Sequence, residues 1–443
     1  MTDHRTTRRR LLALGAAAGS AALAGCSAFD GLTGDDSVEL DGDALRDLSE
    51  SDTPDPPRTL PVDIASAHLD DSEARARDLL AAVPDEFTRQ QIPNGVMRER
   101  LGHARESANE YLARTAEADS PYERLSDLQY ARGEARYVAS AWAAIDDGLT
   151  RDDVRQQADE IRPALDAFRD RWEYVGTDPT RAVVVHAALE DEIRHAVSTL
   201  EDPTRRLDSE TALGVGELAE RLERARASVG DAAHLFDRYT AGSGDQQSLR
   251  ETFDSAVATL VAEVRARRRD RFGEEFDANE SVEPSSLVDG DVEGTAVGDT
   301  LHALVDRVAY PRFADDSSVD TLASELLVAH RQLTSHRALD SLVSRLDEGE
   351  RFPVESVADV RQYRADAIDS LRAALGVDSH LVRHSAVRLA RELHYADDRL
   401  SDLDGTVSVS AVDYWVSSYL EVAFVARAIP PAAEAVAQAL RDA

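Results

Sequence analysis

From about residue 66 the apolar positions recur at three- and four-residue intervals and keep doing so almost to the end of the chain. Leu249, Phe253, Val257, Leu260 and Val264, for example, fall on one face of a single helix. Ser, Thr or Asp ahead of Pro marks helix starts, as at Ser120-Pro121 and Asp178-Pro179. Gly148 and Gly242 mark stops. The pattern predicts helices near 66–82, 94–118, 121–147, 151–173, 179–200, 212–240 and 246–272. After an acidic loop over 273–296 it predicts others near 297–310, 317–347, 354–375, 379–401, 407–429 and 432–442. Pro163 lies inside a helical pattern and should kink it. Strand–helix alternation is absent, so the expected class is all-α, a multi-helix bundle array. That also argues against a two-lobed α/β solute receptor.

The break at 273–296 suggests a division into helical domains 61–245 and 246–443. Three short echoes link them: Ile145-Asp146-Asp147-Gly148 with Leu346-Asp347-Glu348-Gly349, Asp153-Val154-Arg155-Gln156 with Asp359-Val360-Arg361-Gln362, and Glu192-Ile193-Arg194-His195-Ala196 with Glu392-Leu393-His394-Tyr395-Ala396. Two readings stand: a duplicated helical half, or chance recurrence in a chain rich in Ala, Arg, Asp and Leu. Residues 26–60, acidic and closing on Pro54-Asp55-Pro56-Pro57, read as a solvated tether.

The first 26 residues carry an address. Arg5, Arg8, Arg9 and Arg10 precede an apolar run from Leu11 to Leu23, which ends in Leu23-Ala24-Gly25-Cys26. This is the layout of a cleaved export signal, residues 1–25, and the run is too short for a core that needs roughly 20 residues to span. Arg8-Arg9 before Leu11-Leu12 resembles the twin-arginine signal, and Leu-Ala-Gly-Cys resembles a lipobox. The joint resemblance is to haloarchaeal twin-arginine-exported lipoproteins. It implies export in the folded state, lipidation of Cys26 and residence on the outer face of the cytoplasmic membrane.

Composition adds to this. The formal charge is −35, and removing residues 1–25, with four Arg and one Asp, leaves −38. There is no lysine, so all 50 basic residues are arginine. Such acidity resembles the proteome style of halophilic archaea, where the Debye length in molar salt is roughly 3 Å and surface charge cannot steer a distant partner. Nucleic acid is disfavoured as a partner, for want of a basic footprint. Cys26 is the only cysteine, which excludes disulfides and thiolate chemistry in the body.

Candidate chemistry is sparse. Glu192 and His195 share a helical face at the spacing of di-metal carboxylate bundles, and His186 and Glu190 precede them on the same helix. His380 and His384 lie one turn apart near a helix start that Asp378 would cap, and they form a second metal candidate. A helix-surface ion pair and solvent-exposed histidines account for the same spacings without function. Arg265, Arg267, Arg268, Arg269 and Arg271 form a patch for an anion or an acidic partner, or simply helix C-terminal charge. No zinc helix, nucleophile elbow, phosphate-binding Gly loop or dinucleotide fingerprint occurs, and no cofactor is indicated. The expected function is non-catalytic: a tethered extracytoplasmic binding or scaffold module for another envelope protein. Trp142, Trp172, Tyr130 and Tyr137 are its candidate contact aromatics, should they point outward. The alternative is a helical metal- or small-ligand-binding lipoprotein.

Overall fold

The computed structural model describes residues 39–49, 53–202, 211–242, 244, 246–273, 282–289, 292–310, 313 and 319–443. The export signal, with Arg8 and Arg9, and the lipidation residue Cys26 lie outside the described residues. Glu39–Ala443 form one compact unit. The class is all-α. Its first half comprises α1 (Gly42–Ser49), α2 (Ser66–Ala81), α3 (Gly95–Arg114), α4 (Pro121–Asp146), α5 (Arg151–Gln156), α6 (Ala158–Arg171), α7 (Pro179–Glu201) and α8 (Ala212–Ala241). The second comprises α9 (Arg250–Phe272), α10 (Ala296–Ala309), α11 (Leu322–Asp347), α12 (Val357–Leu375), α13 (His380–Ser401) and α14 (Val409–Asp442). Two antiparallel two-stranded pairings staple distant segments. Glu39–Asp41 (β1) pairs with Thr406–Ser408 (β4), and Val175–Gly176 (β2) with Gln247–Ser248 (β3).

In the first half α4 and α8 pack lengthwise, with α2 and α3 against α4. Gly216 of α8 lets the two backbones approach, for a Cβ there would sit 2.8 Å from the Tyr137 carbonyl oxygen. Glu223 of α8, almost fully buried, receives Arg75 of α2 and Arg132 of α4, which hold its carboxyl below the usual range against the cost of burial. In a chain without lysine, the planar guanidinium fork makes such buried pairings workable.

In the second half α14 is the central helix, packed against α10, α11, α12 and α13. The two halves share one continuous hydrophobic core, joined mainly where α7 meets α11.

Four expectations are corrected. Residues 39–49 and 53–60 are not tether but body: Leu40, Leu45, Leu48 and Leu60 are core residues, and β1 is tied to β4. The helix expected over 151–173 is interrupted at Gln157, between α5 and α6, and Pro163 lies inside α6. The helix expected from residue 246 starts at Arg250, because Gln247 and Ser248 pair with β2 and the Leu249 N–H donates to the Tyr174 carbonyl at 2.8 Å. The two terminal helices are one, with Pro430 and Pro431 inside it. Each proline removes an amide that would have bonded four residues back. Burial of Ala432, Ala433, Val436 and Leu440 beyond them keeps the last turns on the core.

Candidate functional site

The predicted metal residues on α7 are brought together in sequence but not in purpose. Trp172 Nε1 donates to His186 Nδ1 at 3.2 Å, so the ring carries its proton on Nε2, which donates to the Val175 carbonyl at 2.9 Å. Burial pushes its pKa down to about 4, leaving it a neutral structural imidazole.

Glu190, also fully buried, is a helix cap supplied from another element. Thr321, the residue before α11, makes no side-chain cap. Glu190 Oε1 instead accepts the Ala323 N–H at 2.8 Å and Oε2 the Ser324 N–H at 2.7 Å, while the Tyr174 hydroxyl donates to Oε1 at 2.6 Å. These are the second and third amides of α11, the ones an N-cap side chain would satisfy. Burial nevertheless pushes the Glu190 pKa up to about 7, against the pull of these donors.

Glu192 points elsewhere, to Gln129 Nε2, 3.1 Å from both carboxylate oxygens. The same amide donates to Asp231 at 2.6 Å, and Asp231 also meets His68 at 2.6 Å. His195 is exposed on the surface and does not join Glu192. His380 is half-buried at the start of α13, whose cap is Ser379 rather than Asp378, through a bond from the Val382 N–H. No group of three or more His, Cys, Asp or Glu among the described residues is placed to hold a metal ion.

Of the arginine run of α9, Arg265 and Arg269 are exposed, and Arg267, Arg268 and Arg271 are half-buried. Arg267 bonds Glu263 at 2.9 Å and lies 3.8 Å from Asp340 of α11, and Arg271 also pairs with Asp340. Of the aromatics, Tyr137 is buried and Trp172 is committed to His186. Trp142 is half-buried beside Phe87, and only Tyr130 is substantially exposed. They form no common outward patch.

What the fold does build is a pocket of ≈ 530 Å³ where the halves meet. Its walls are the 58–60 segment, Tyr122 at the start of α4, Val184 to Arg194 of α7, Phe313, Thr321 to Arg331 of α11, and His384 of α13. Glu190 sits behind this wall and fixes α11 against α7. Leu60, Val184, Ala187, Ala188, Leu327 and Val328 give the pocket an apolar side.

Arg58, Arg194 and Arg331 supply the positive groups, Asp191 and Glu325 the negative ones, and His384 an imidazole. Arg194 is engaged by Asp191 at 2.8 Å. Arg58 lies 4.9 Å over the Tyr122 ring, whose hydroxyl burial drives up to about 12.

Arg331 is different. It makes no hydrogen bond or ion pair with any described residue, and desolvation and the neighbouring Arg388 hold its pKa below the usual guanidinium value. His384 is depressed to about 4, by burial and then by Arg331 and Arg58. An unpaired guanidinium in a concave, partly apolar site favours an anion.

Of this site the sequence pattern identified only His384, and as a metal ligand. Arg331 was overlooked, though its signal was legible: one charge following Leu326-Leu327-Val328-Ala329-His330 in an apolar helix. Arg58 was overlooked because its segment was read as tether.

A second, smaller space of ≈ 70 Å³ shares Arg331 and His384 with the first, and adds residues of α10, α11, α13 and α14.

Comparison with known families divides the chain in two. Residues 67–246 are similar to a domain of unknown function, DUF8262, and residues 250–438 to a second, DUF8264. No curated protein and no solved structure matches. The larger pocket therefore takes walls from both matched stretches, and Arg58 from just before the first.

Proposed function

We propose that this chain is a non-catalytic, membrane-tethered extracytoplasmic binding protein whose pocket takes a small organic anion. The observation that carries the reading is Arg331: a guanidinium without a partner, in an acidic protein, on the wall of a pocket with an apolar side. Arg331 is exposed on that wall, where only the more distant Asp191 acts on it, and a bound anion gives its guanidinium a direct charge-assisted partner. The tethering rests on the resemblance of residues 1–26 to twin-arginine lipoprotein signals. No helix among the described residues is long and apolar enough to cross a membrane.

A thermal-shift titration of the purified protein with a panel of carboxylates, phosphate esters and sulfonates tests the pocket. At least one is expected to stabilise the protein saturably and to have no effect on Arg331→Ala. A panel in which none binds, or in which Arg331→Ala responds like the parent, overturns the reading.

A further inference from the structure

The smaller space differs in character from the larger. Its polar lining is Arg307, Arg331 and Arg388, the imidazole of His384 and three hydroxyls, with no carboxylate among the lining residues. That is notable in a chain with 85 Asp and Glu against 50 Arg. At ≈ 70 Å³ it admits a small group rather than a whole organic molecule.

Its arginines retain donors. Arg331 has no partner, and Arg307, though paired through Nη2 with Glu421, has its Nη1 buried without a hydrogen bond. Arg388 is held loosely by Glu392 at 3.6 Å. Thr334 donates its hydroxyl proton to the His330 carbonyl at 2.8 Å and Ser385 lies 3.2 Å from His330 Nδ1, so the donors left for an anion are chiefly the guanidiniums. Three guanidiniums, contributed by three helices to one small space, match an oxyanion having several equivalent acceptors better than a planar two-oxygen carboxylate.

We propose, building on the pocket reading above, that the ligand carries a tetrahedral oxyanion, a phosphoryl or sulfuryl group, seated in this inner space, with its apolar body in the outer pocket. Arg331 and His384 line both spaces and stand where the head group joins the body.

Three probes with one body and different heads test this on the full protein: phenyl phosphate, phenyl sulfate and benzoate, titrated calorimetrically. Arg388 lines the inner space alone and its side chain is half exposed, so Arg388→Ala removes the inner contact without threatening the fold. The expected result is that phenyl phosphate or phenyl sulfate binds at least about tenfold more tightly than benzoate, with the difference abolished in Arg388→Ala. A preference for one ester over the other identifies which head group is native. Equal binding of benzoate, or a preference that survives Arg388→Ala, overturns the inner-site proposal. It leaves the outer pocket standing if Arg331→Ala still abolishes binding. Failure of all three probes to bind overturns both.

Discussion

Glu190 on α7 accepts the backbone N–H of Ser324 on α11 at 2.7 Å, across 134 residues of chain, and so caps a helix that has no cap of its own. This bond sits at the seam between the two halves. It holds the pocket wall that carries Ser324, Leu327 and Arg331 in register with the wall that carries Val184 and Asp191.

Replacing Glu190 by Ala should therefore destabilise the protein by about 1–3 kcal/mol, since two buried amides lose their acceptor. Glu190→Gln keeps a carbonyl oxygen for one of them and should cost less. Denaturant unfolding of both variants would show the ranking, and equal stability to the parent would remove the capping role.

Glu192 should make stability pH-dependent. Burial and then the neighbouring Asp231 raise its pKa from the ordinary 4.5 to about 7. Between those values the folded protein keeps a proton that the unfolded chain has released, so this group's contribution falls as pH rises from about 4.5 to about 7. Below that window both states are protonated, and above it both are ionised. Glu192→Gln should flatten that part of the stability–pH curve relative to the parent. A parent and variant that run parallel from pH 5 to 7 would contradict the assignment.

Arg364 and Asp397 form a buried bidentate pair at 2.8 and 2.8 Å, joined by the Tyr419 hydroxyl at 2.7 Å and by Thr53 at 2.8 Å. Arg364→Met leaves the carboxylate buried beside uncharged donors, and should cost about 3–5 kcal/mol. Exchanging both partners for apolar residues should recover much of that loss. A single variant as stable as the parent in urea would refute the pair's importance.

Gly216→Ala tests the α4–α8 contact. The new methyl would meet the Tyr137 carbonyl oxygen at 2.8 Å and the Ala141 Cβ at 3.0 Å, neither of which can rotate away. Ordinarily Ala favours a helix by roughly 1 kcal/mol over Gly. Here overpacking should reverse the sign and give a net loss on the order of 1–3 kcal/mol, read from the melting temperature.

Cys26→Ser bears on the tether. Expressed in a halophilic host, the parent should sediment with membranes and the variant should be found in the soluble fraction, with the pocket's ligand binding unaltered. Equal partitioning of the two would dispose of lipid anchoring through Cys26.

Periodicity alone determined the class of this protein and the location of most of its helices. A helix is specified by its own i, i+3 and i+4 neighbours, and α9 shows this in Phe253, Val257, Leu260 and Val264, all buried as the pattern predicts. Local chemistry also set the starts at Pro121 and Pro179, where Ser120 and Asp178 cap as expected.

Only the tertiary structure decided what depends on residues far apart in the chain. Whether Pro430-Pro431 ends α14 turned on burial beyond it. Whether 39–60 was tether turned on a strand partner near residue 407. Glu190 looked like a metal ligand because sequence spacing reports which face a residue occupies, not what that face meets. Arg331 lines a pocket because α7, α11, α13 and the Arg58 segment come together around it. Side chains acquire function from the neighbours that folding gives them, and those neighbours are set by packing between helices, which no local pattern encodes.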